Sequence, residues 1–487
     1  MSDTVHDGPR AGSRVPPGTA GRPARARSEP IDELARDWDA CVAAAVHPDE
    51  IAALLESDGL SDERIRERYG VKDSFALAER LYERVPRRHP EPDGPPPEPW
   101  RIGLAGCLLR GLLFALPGFA YVLGAPLLAG PPGATGLPAG TRTLLAGALC
   151  GWAWNQGLAH RAYSWLGLGD RPAARRCLLL GTPAGMLFGT LVALAVSGTG
   201  HPAALAFTVG QSCYLGASGV LLVMGRERVL LAALSPMTAG AVMASVHPVP
   251  APVRLLLLLA SLTAVCVLGL LEVAPALTNP FSHTRVESAA CAGPVSPRPL
   301  ASLPYAVFGL AGGVLVEYAA LGDALAGGGH GVPAAVALTL SMGPAEWLLY
   351  RFRGGGLAAL RAGGTARAFR RATVRTLAGC LGCYLTALLV LVLVVTVAWP
   401  ATQPPAGARL AGLLALGVVL WTGLLLQSFG AVLGATAVCC AAALAQTLAL
   451  ATHAGRPPTV ALAVCGTAAL AQTALVCVTL GRATAHR

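Results

Sequence analysis

Residues 158–177 read LAHRAYSWLGLGDRPAARRC, and residues 347–376 read WLLYRFRGGGLAALRAGGTARAFRRATVRT. Each stretch leaves an apolar segment, collects arginines around a glycine-rich turn and continues into another long apolar segment. Gly169-Asp170 in the first stretch falls near Gly363-Gly364 in the second, at an offset of about 194 positions. This recurrence predicts that the chain contains two equivalent halves.

Charged residues are distributed very unevenly along the 487-residue chain. Residues 1–100 hold 20 acidic and 14 basic side chains, whereas the rest of the chain holds 7 acidic and 23 basic ones. The charged residues after residue 100 are too few to cover the surface of a water-soluble protein. The composition of this region therefore indicates that its solvent is a lipid bilayer. The net charge of +10 does not indicate nucleic-acid binding, because its excess lies in short loops between apolar segments, where arginines meet anionic headgroups.

The apolar segments that follow Trp100 predict an all-α, polytopic membrane protein with about twelve transmembrane helices. Each segment has about 18–25 residues, enough to cross a hydrocarbon core of about 30 Å at 1.5 Å per residue. The segments are 102–124, 141–160, 177–199, 203–224, 229–247, 254–277, 302–323, 333–350, 375–399, 409–428, 431–452 and 458–480. Prolines inside five of them remove helix hydrogen bonds and predict kinks. These prolines are Pro117, Pro183, Pro236, Pro275 and Pro344.

Arginine placement predicts the orientation of these helices. With the N-terminus in the cytoplasm, the cytoplasmic ends and loops hold 18 arginines and the outer loops hold four, namely Arg142, Arg254, Arg409 and Arg456. The positive-inside rule requires this asymmetry. It predicts a multi-pass protein of the cell inner (plasma) membrane with both termini in the cytoplasm.

The longest connection between apolar segments, residues 278–301, divides the membrane region into a first half (101–277) and a second half (302–487). We expect this connection to be cytoplasmic. Six helices return the chain to the side on which it started, so the halves are expected to be parallel six-helix bundles related as repeats.

Residues 1–100 predict a separate soluble part in front of the membrane region. We expect a disordered tail in 1–29, a small cytoplasmic helical module in 30–86 and a proline-rich linker in 87–100. The last predicted helix of the module places Phe75, Leu77, Leu81 and Val85 on roughly one side.

The helical module has three interpretations. Its Tyr69-Gly70-Val71 turn resembles a helix–turn–helix, but the acidic surroundings disfavour phosphate contacts, so no nucleic-acid partner is expected. A docking module for a cytoplasmic partner, such as a glycosyltransferase, is favoured over DNA recognition. A passive cap near the membrane is the third interpretation.

Glu317 lies in LAGGVLVEYAALGD, about two-thirds of the way through the seventh apolar segment. A carboxylate at this depth is unfavourable unless it is protonated, paired or next to water. Glu317 is therefore a candidate for coupling to a proton or another cation, or for binding a polar substrate. The alternative is a structural carboxylate satisfied by a neighbouring helix.

Arg110 lies in the first apolar segment, nearer the cytoplasmic side. The first and seventh segments are equivalent in a protein with two repeats, so Arg110 and Glu317 are both expected to face a central cavity. A guanidinium there suits a pyrophosphate or an acidic sugar. The alternative is that the Arg110 side chain extends to the inner headgroups.

Five further residues are candidates for substrate or ion binding. Glu272 and Glu346 lie near predicted cytoplasmic helix ends, where pairing at the interface is the alternative role. Asn155, Gln156 and Gln211 are uncharged polar side chains within apolar segments. Hydrogen bonds between helices are an equally good explanation for these three.

The sequence contains no motif typical of an enzyme. It has no Walker loop, HExxH, GxSxG or dinucleotide-binding fingerprint. Cys380 and Cys383 form a CxxC inside an apolar segment, without a nearby histidine or a second pair. We therefore expect no catalytic residue, no cofactor and no metal site.

A 6+6 arrangement with basic loops after the second and eighth segments, here 163–176 and 350–375, resembles the multidrug/oligosaccharidyl-lipid/polysaccharide exporter superfamily. Within that superfamily, GVLLVMGRERVLLAALSP (219–236) looks like the fourth-to-fifth span connection of Pel-type polysaccharide exporters and O-antigen flippases. The resemblance covers about residues 100–480 as an architecture.

This resemblance implies a transporter that exports or flips a polysaccharide or a lipid-linked glycan by alternating access. One alternative is a cation-coupled multidrug exporter of the same fold. Another is a non-transporting membrane scaffold that recruits a cytoplasmic partner through residues 30–86. A scaffold would be packed solid around Glu317 and Arg110, with no route for cargo.

Overall fold

The computed structural model describes residues 30–86, 103–128, 140–197, 202–278, 297–325, 332–362, 365–398 and 407–486. The expected tail (1–29), the proline-rich linker (87–100) and nearly all of the expected connection between the halves lie outside the described residues. The chain forms two compact units, Met1–Pro97 and Glu98–Arg487, and each is described by itself.

The first unit is a small helical module. Its described helices are α1 (Pro30–Asp37), α2 (Asp39–Ala44), α3 (Pro48–Ser57), α4 (Asp62–Tyr69) and α5 (Ser74–Arg84). Gly70 ends α4 in the left-handed conformation, with φ of 66°. Asp73 begins α5 by accepting a hydrogen bond from the backbone N–H of Ala76 at 2.9 Å.

Aliphatic side chains from α3, α4 and α5 form the core of this module. The fully buried ones are Ile51, Leu55, Ile65, Leu77 and Leu81. Phe75 is 55% exposed, so the expectation that it lies on the buried side of α5 is wrong. It precedes Leu77 by two positions, which places it about 200° away around the helix.

The second unit is entirely helical in its described residues. Its helices are α6 (Leu104–Ala115), α7 (Gly118–Leu128), α8 (Thr141–Gly167), α9 (Arg171–Ser197), α10 (Pro202–Val223), α11 (Glu227–Val246), α12 (Ala251–Val273), α13 (Pro275–Thr278), α14 (Leu303–Leu325), α15 (Val332–Leu340), α16 (Met342–Arg361), α17 (Ala366–Ala398), α18 (Ala408–Ser428), α19 (Val432–Ala451) and α20 (Pro457–Leu480). Two short 3₁₀ helices, Pro299–Ser302 and Ala483–His486, complete it.

Ten helical segments of the described chain are long and apolar enough to cross a membrane. The protein is therefore an all-helical, multi-pass membrane protein, as the sequence predicts. The predicted count of twelve stays a prediction, because α8 and the pair α15–α16 are not among the ten. α8 is 27 residues long but includes Asn155, Gln156, His160 and Arg161, and α15 has only 9 residues.

Three of the five prolines predicted to kink helices coincide with helix breaks. Pro117 lies between α6 and α7, Pro275 starts α13, and α16 begins two residues before Pro344. Helices α9 and α11 instead continue through Pro183 and Pro236. A proline removes one backbone donor, and neighbouring helices and side chains can satisfy the freed carbonyl, so a break does not always follow.

Helices of the first half contact helices of the second half at two crossings. α6 packs against α15 and α16, and α14 packs against α8. A Cβ atom on Gly111 of α6 would lie 2.7 Å from the backbone nitrogen of Gly343. A Cβ atom on Gly309 of α14 would lie 2.7 Å from Cγ of Gln156. Both crossings, called here α6–α16 and α8–α14, therefore depend on glycines that let the helices approach closely.

Some contacts within the first half have counterparts in the second half, whereas α10 packs far more extensively on α8 and α9 than α18 does on α16 and α17. In the first half α8 packs against α9, α10 against α12, and α7 against α11. In the second half α16 packs against α17, α18 against α20, and α14 against α19. The largest described hydrophobic core lies in the second half and includes the fully buried side chains of Leu388, Val419 and Trp421.

Candidate functional site

Arg110 on α6 is shared between two carboxylates, one from each half of the membrane region. Its Nη2 atom lies 2.9 Å from Oε1 of Glu227, the first residue of α11, and its Nε donates to the same oxygen at 3.0 Å. Its Nη1 donates to Oε1 of Glu346 on α16. The hydroxyl of Tyr350 also donates to this oxygen of Glu346, at 3.1 Å. These four residues are called the Arg110 cluster.

Local backbone structure positions the members of this cluster. Gly111 and Gly343 bring the backbones of α6 and α16 together, and Arg110 and Glu346 lie within three residues of these glycines. Gly225, with φ of 75°, makes the turn that starts α11 at Glu227. A carboxylate in the first turn of a helix interacts favourably with the partial positive charge of the helix N-terminus.

The Arg110 cluster is only partly enclosed. The Arg110 side chain is 39% accessible, whereas the side chains of Glu227 and Glu346 are 18% and 22% accessible. The neighbouring helices therefore do not fully enclose the Arg110 side chain.

Glu272 on α12 forms a second ionic group, which lies entirely within the first half. Its Oε1 accepts from Nη2 of Arg175 on α9 at 2.9 Å, and its Oε2 accepts from Nε of Arg226 at 2.8 Å. Arg171 approaches the carboxylate at 3.8 Å. Only 8% of the Glu272 side chain is accessible. The group, called here the Glu272 cluster, joins α9 and α12 to the turn before α11.

Glu317 occupies a different environment on α14. Its Oε1 atom is buried and has no hydrogen-bond partner among the described residues. The carboxylate lies within electrostatic range of Tyr121 on α7. The Tyr121 hydroxyl donates to Oε1 of Gln211 on α10 at 2.8 Å, and its ring packs against Phe207 at 5.2 Å between centroids. Tyr121, Gln211 and Glu317, called here the Glu317 site, thus combine polar groups from both halves.

The Glu317 site and the Arg110 cluster have different partners. Tyr121 lies on α7, eleven positions after Arg110 on α6, and the helix break at Pro117 separates the two residues. The carboxylates that pair with Arg110 are those of Glu227 and Glu346. The expectation that Arg110 and Glu317 face one central cavity stays a prediction.

Asn155 and Gln156 on α8 face different helices. Asn155 Oδ1 lies 3.7 Å from the Cβ position of Gly219 on α10, whereas Gln156 packs its Cβ and Cγ atoms on Gly309 of α14. Neither contact brings these side chains to Glu317 or Arg110. Asn155 and Gln156 therefore project toward different helices, with Gln156 at the α8–α14 crossing.

The α8–α14 crossing carries its own polar contact. Nδ1 of His160 lies 3.0 Å from Oγ of Ser302, and the imidazole stacks on the ring of Tyr305 with centroids 3.6 Å apart. One crossing between the halves is therefore ionic, through Arg110 and Glu346, and the other is aromatic and uncharged.

Sequence reasoning missed Glu227, Tyr121 and Tyr350 as members of these groups. Glu227 lies between two arginines in a short turn, where its charge looks neutralised locally. A usable signal was present, since Glu227 is one of only seven acidic residues outside the first hundred. Tyr121 could be noticed only as a lone hydroxyl within an apolar segment, and Tyr350 only from its spacing of four residues from Glu346.

No family model, curated protein or solved structure matches the chain. Within the described residues, no group of three or more His, Cys, Asp or Glu side chains is arranged to hold a metal ion. The two ionic clusters, the Glu317 site and the helix contacts around them are the features that bear on function.

Proposed function

We propose that the protein is a membrane transporter that works by alternating access between two six-helix halves. The observation that carries this proposal is the Arg110 cluster, in which an arginine of the first half binds one carboxylate of its own half and one of the other half. Separating the halves would break the contact with Glu346 while Glu227 still pairs Arg110. An interface that opens and closes needs a contact of this kind, because neither state then leaves the arginine without a partner.

The helix contacts support two equivalent halves with twelve spans. In this proposal α8 and the pair α15–α16 are the second and eighth spans. The first span of each half then crosses the second span of the other half, once as α6 with α16 and once as α14 with α8. A rotation that exchanged the halves would exchange these two crossings, which is the relationship expected for parallel repeats.

Glu317 is the residue that we propose to couple transport to a cation or to bind substrate hydroxyls. A carboxylate whose oxygen lacks a hydrogen-bond partner inside a membrane protein is costly, and such residues typically serve ion or substrate pathways. The Tyr121 hydroxyl, which donates to Gln211, lies within electrostatic range of this carboxylate. Arg110 suits closure of the path better than anion binding, because two carboxylates already satisfy its charge.

The proposed substrate is a polysaccharide or a lipid-linked glycan, exported or flipped across the cell inner membrane. This choice rests on the resemblance of the basic loops and of residues 219–236 to the exporter superfamily. The soluble module (30–86) would then lie in the cytoplasm, where it could receive a glycosyltransferase. A cation-coupled multidrug exporter is the second candidate, because the unpartnered carboxylate of Glu317 also suits proton-coupled efflux.

The test uses purified full-length protein in proteoliposomes. The first probe is a polyprenyl-pyrophosphate oligosaccharide with a fluorescent label, whose movement between leaflets is followed by reductive quenching. The second probe is ethidium, whose uptake is followed under a proton gradient. We expect movement of the labelled glycan lipid, at least a tenfold loss of rate in Glu317→Gln, and an unchanged rate in Arg142→Ala, which removes a charge in the first turn of α8.

The possible results separate the candidate functions. Ethidium movement without glycan movement, lost in Glu317→Gln, would replace the glycan proposal with the drug exporter. Movement of neither probe by correctly folded protein would contradict the transport proposal and favour the scaffold. Equal rates of movement in wild type and Glu317→Gln would contradict the proposed role of Glu317.

A further inference from the structure

A groove of about 720 Å³ lies between α16 and α17, outside the Arg110 cluster and the Glu317 site. Arg351, Arg361 and Arg375 line one part of it, and no acidic side chain is among its lining residues. Trp347, Gly379 and Cys383 line another part. The groove therefore combines a strongly basic region with a largely apolar one.

The three arginines of this groove differ from Arg175 and Arg226 of the first half in their partners. Arg175 and Arg226 bind the carboxylate of Glu272, whereas none of the three groove arginines forms an ion pair within the described residues. The Arg351 guanidinium instead lies over the Trp347 ring, 5.5 Å from its centroid. Three like charges that line one groove favour a bound anion.

Helix length places Arg375 near the level of lipid phosphates. Arg375 is the last charged residue before the 23 uncharged residues of 376–398. These residues span about 34 Å at 1.5 Å per residue, which matches the hydrocarbon core of a bilayer. Arg375 therefore lies at the boundary between headgroups and acyl chains, and the side of the groove with Gly379 and Cys383 extends toward the core.

Two glycines give the groove its open space. A Cβ atom on Gly354 or on Gly379 would have no atom within 4 Å. Gly355 is different, because a Cβ atom there would lie 3.0 Å from Cγ2 of Thr376 and would close the helix contact. The groove is thus open beside Gly379, while Gly355 serves the packing of α16 on α17.

We propose that this groove binds an anionic glycerophospholipid, with its phosphate at the level of Arg375, attracted also by the charges of Arg351 and Arg361, and an acyl chain beside Gly379 and Cys383. The charge complementarity, the depth of Arg375 and the apolar floor point to a bilayer lipid. A soluble phosphate would use the arginines but gain nothing from the apolar floor. Basic pockets between membrane helices at the headgroup level bind anionic lipids in this way.

The experiment measures lipids retained by the full-length protein. The protein is purified from nanodiscs that contain equal amounts of phosphatidylglycerol and phosphatidylcholine, and bound lipids are counted by native mass spectrometry. We expect wild type to retain phosphatidylglycerol preferentially. Arg351→Ala/Arg361→Ala/Arg375→Ala should lose this preference at least fivefold. Gly379→Leu should do the same without changing any charge, because the leucine fills the space that the acyl chain occupies.

Two controls match these variants. Arg228→Ala/Arg367→Ala/Arg371→Ala removes three exposed arginines outside the groove. Gly466→Leu introduces leucine on α20 at a glycine that also has open space. Both should retain phosphatidylglycerol as wild type does. An equal loss in the arginine control would assign the preference to general surface charge and overturn the proposal. Unchanged retention in Gly379→Leu would also overturn it, as would displacement of the lipid by millimolar glycerol phosphate.

Discussion

Arg110 and Glu346 are 236 positions apart in the sequence, yet they form an ion pair where α6 crosses α16. Glu227 holds the same guanidinium from within the first half at 2.9 Å. The Arg110–Glu346 pair thus joins the halves, and Glu227 remains as a partner of Arg110 if this pair breaks. Glu272, in contrast, satisfies its arginines inside one half, where opening of the interface would not disturb it.

The Arg110–Glu346 pair should contribute measurable coupling between the halves. We expect a coupling free energy of about 1 kcal/mol in a double-mutant cycle of Arg110→Ala and Glu346→Ala, because partial exposure of both groups weakens the attraction. Thermal unfolding of the purified protein in detergent at low and high ionic strength measures it. High salt should reduce the coupling. Strictly additive effects at low salt would contradict this role.

The α6–α16 crossing should not tolerate a side chain at Gly111. A Cβ atom there would lie 2.7 Å from the Gly343 nitrogen, so Gly111→Ala forces the backbones apart and should destabilise the protein by about 1–3 kcal/mol. Gly106→Ala on the same helix is the matched control, since its Cβ atom meets nothing within 4 Å. Retention of monodisperse protein after heating compares them. Equal stability of both variants would exclude a tight crossing.

The Glu272 cluster should rank its members by distance and burial. Glu272→Gln leaves Arg175 and Arg226 without their carboxylate and should cost about 2–3 kcal/mol of stability. Arg171→Ala should have a much smaller effect, because Arg171 lies 3.8 Å from the carboxylate and is half exposed. Heating curves of the two variants give the ranking. A larger loss in Arg171→Ala than in Glu272→Gln would contradict the arrangement.

The soluble module should fold by itself. A fragment of residues 1–97 should melt cooperatively when followed by circular dichroism, since its core is complete within the first unit. Leu77→Ala should destabilise this fragment by about 2–4 kcal/mol, because Leu77 is fully buried. Phe75→Ala is the control and should change stability by less than about 0.5 kcal/mol, as expected for an exposed site. A non-cooperative fragment would mean that the module needs the membrane unit.

The helical fold was largely predictable because long apolar segments have few alternatives in a bilayer. The helix breaks at Pro117 and Pro275 follow from residue chemistry, whereas the continuity of α9 through Pro183 depends on the neighbouring helices. The exposure of Phe75 was predictable from helix geometry, because its position two residues before Leu77 is rotated about 200° from the buried side of α5.

The candidate site was predictable only as separate residues. The scarcity of acidic side chains after residue 100 makes Glu272, Glu317 and Glu346 candidates from the sequence alone. The partner of Glu346 could not be predicted from the sequence. Arg110 and Glu346 come together because Gly111 and Gly343 let their helices approach closely. Arg351 is only five positions from Glu346 in the sequence, yet its guanidinium lies over the Trp347 ring.

The aromatic contact of His160 with Tyr305 gives the two crossings unequal responses to a change in shape. Stacked rings stay in contact when the angle between two helices changes slightly. A guanidinium–carboxylate pair, in contrast, loses its hydrogen-bond geometry when the helices separate. We therefore expect the halves to pivot at α8–α14 and to separate at α6–α16. The two halves would then move asymmetrically relative to each other, with the widest opening between them beside Arg110.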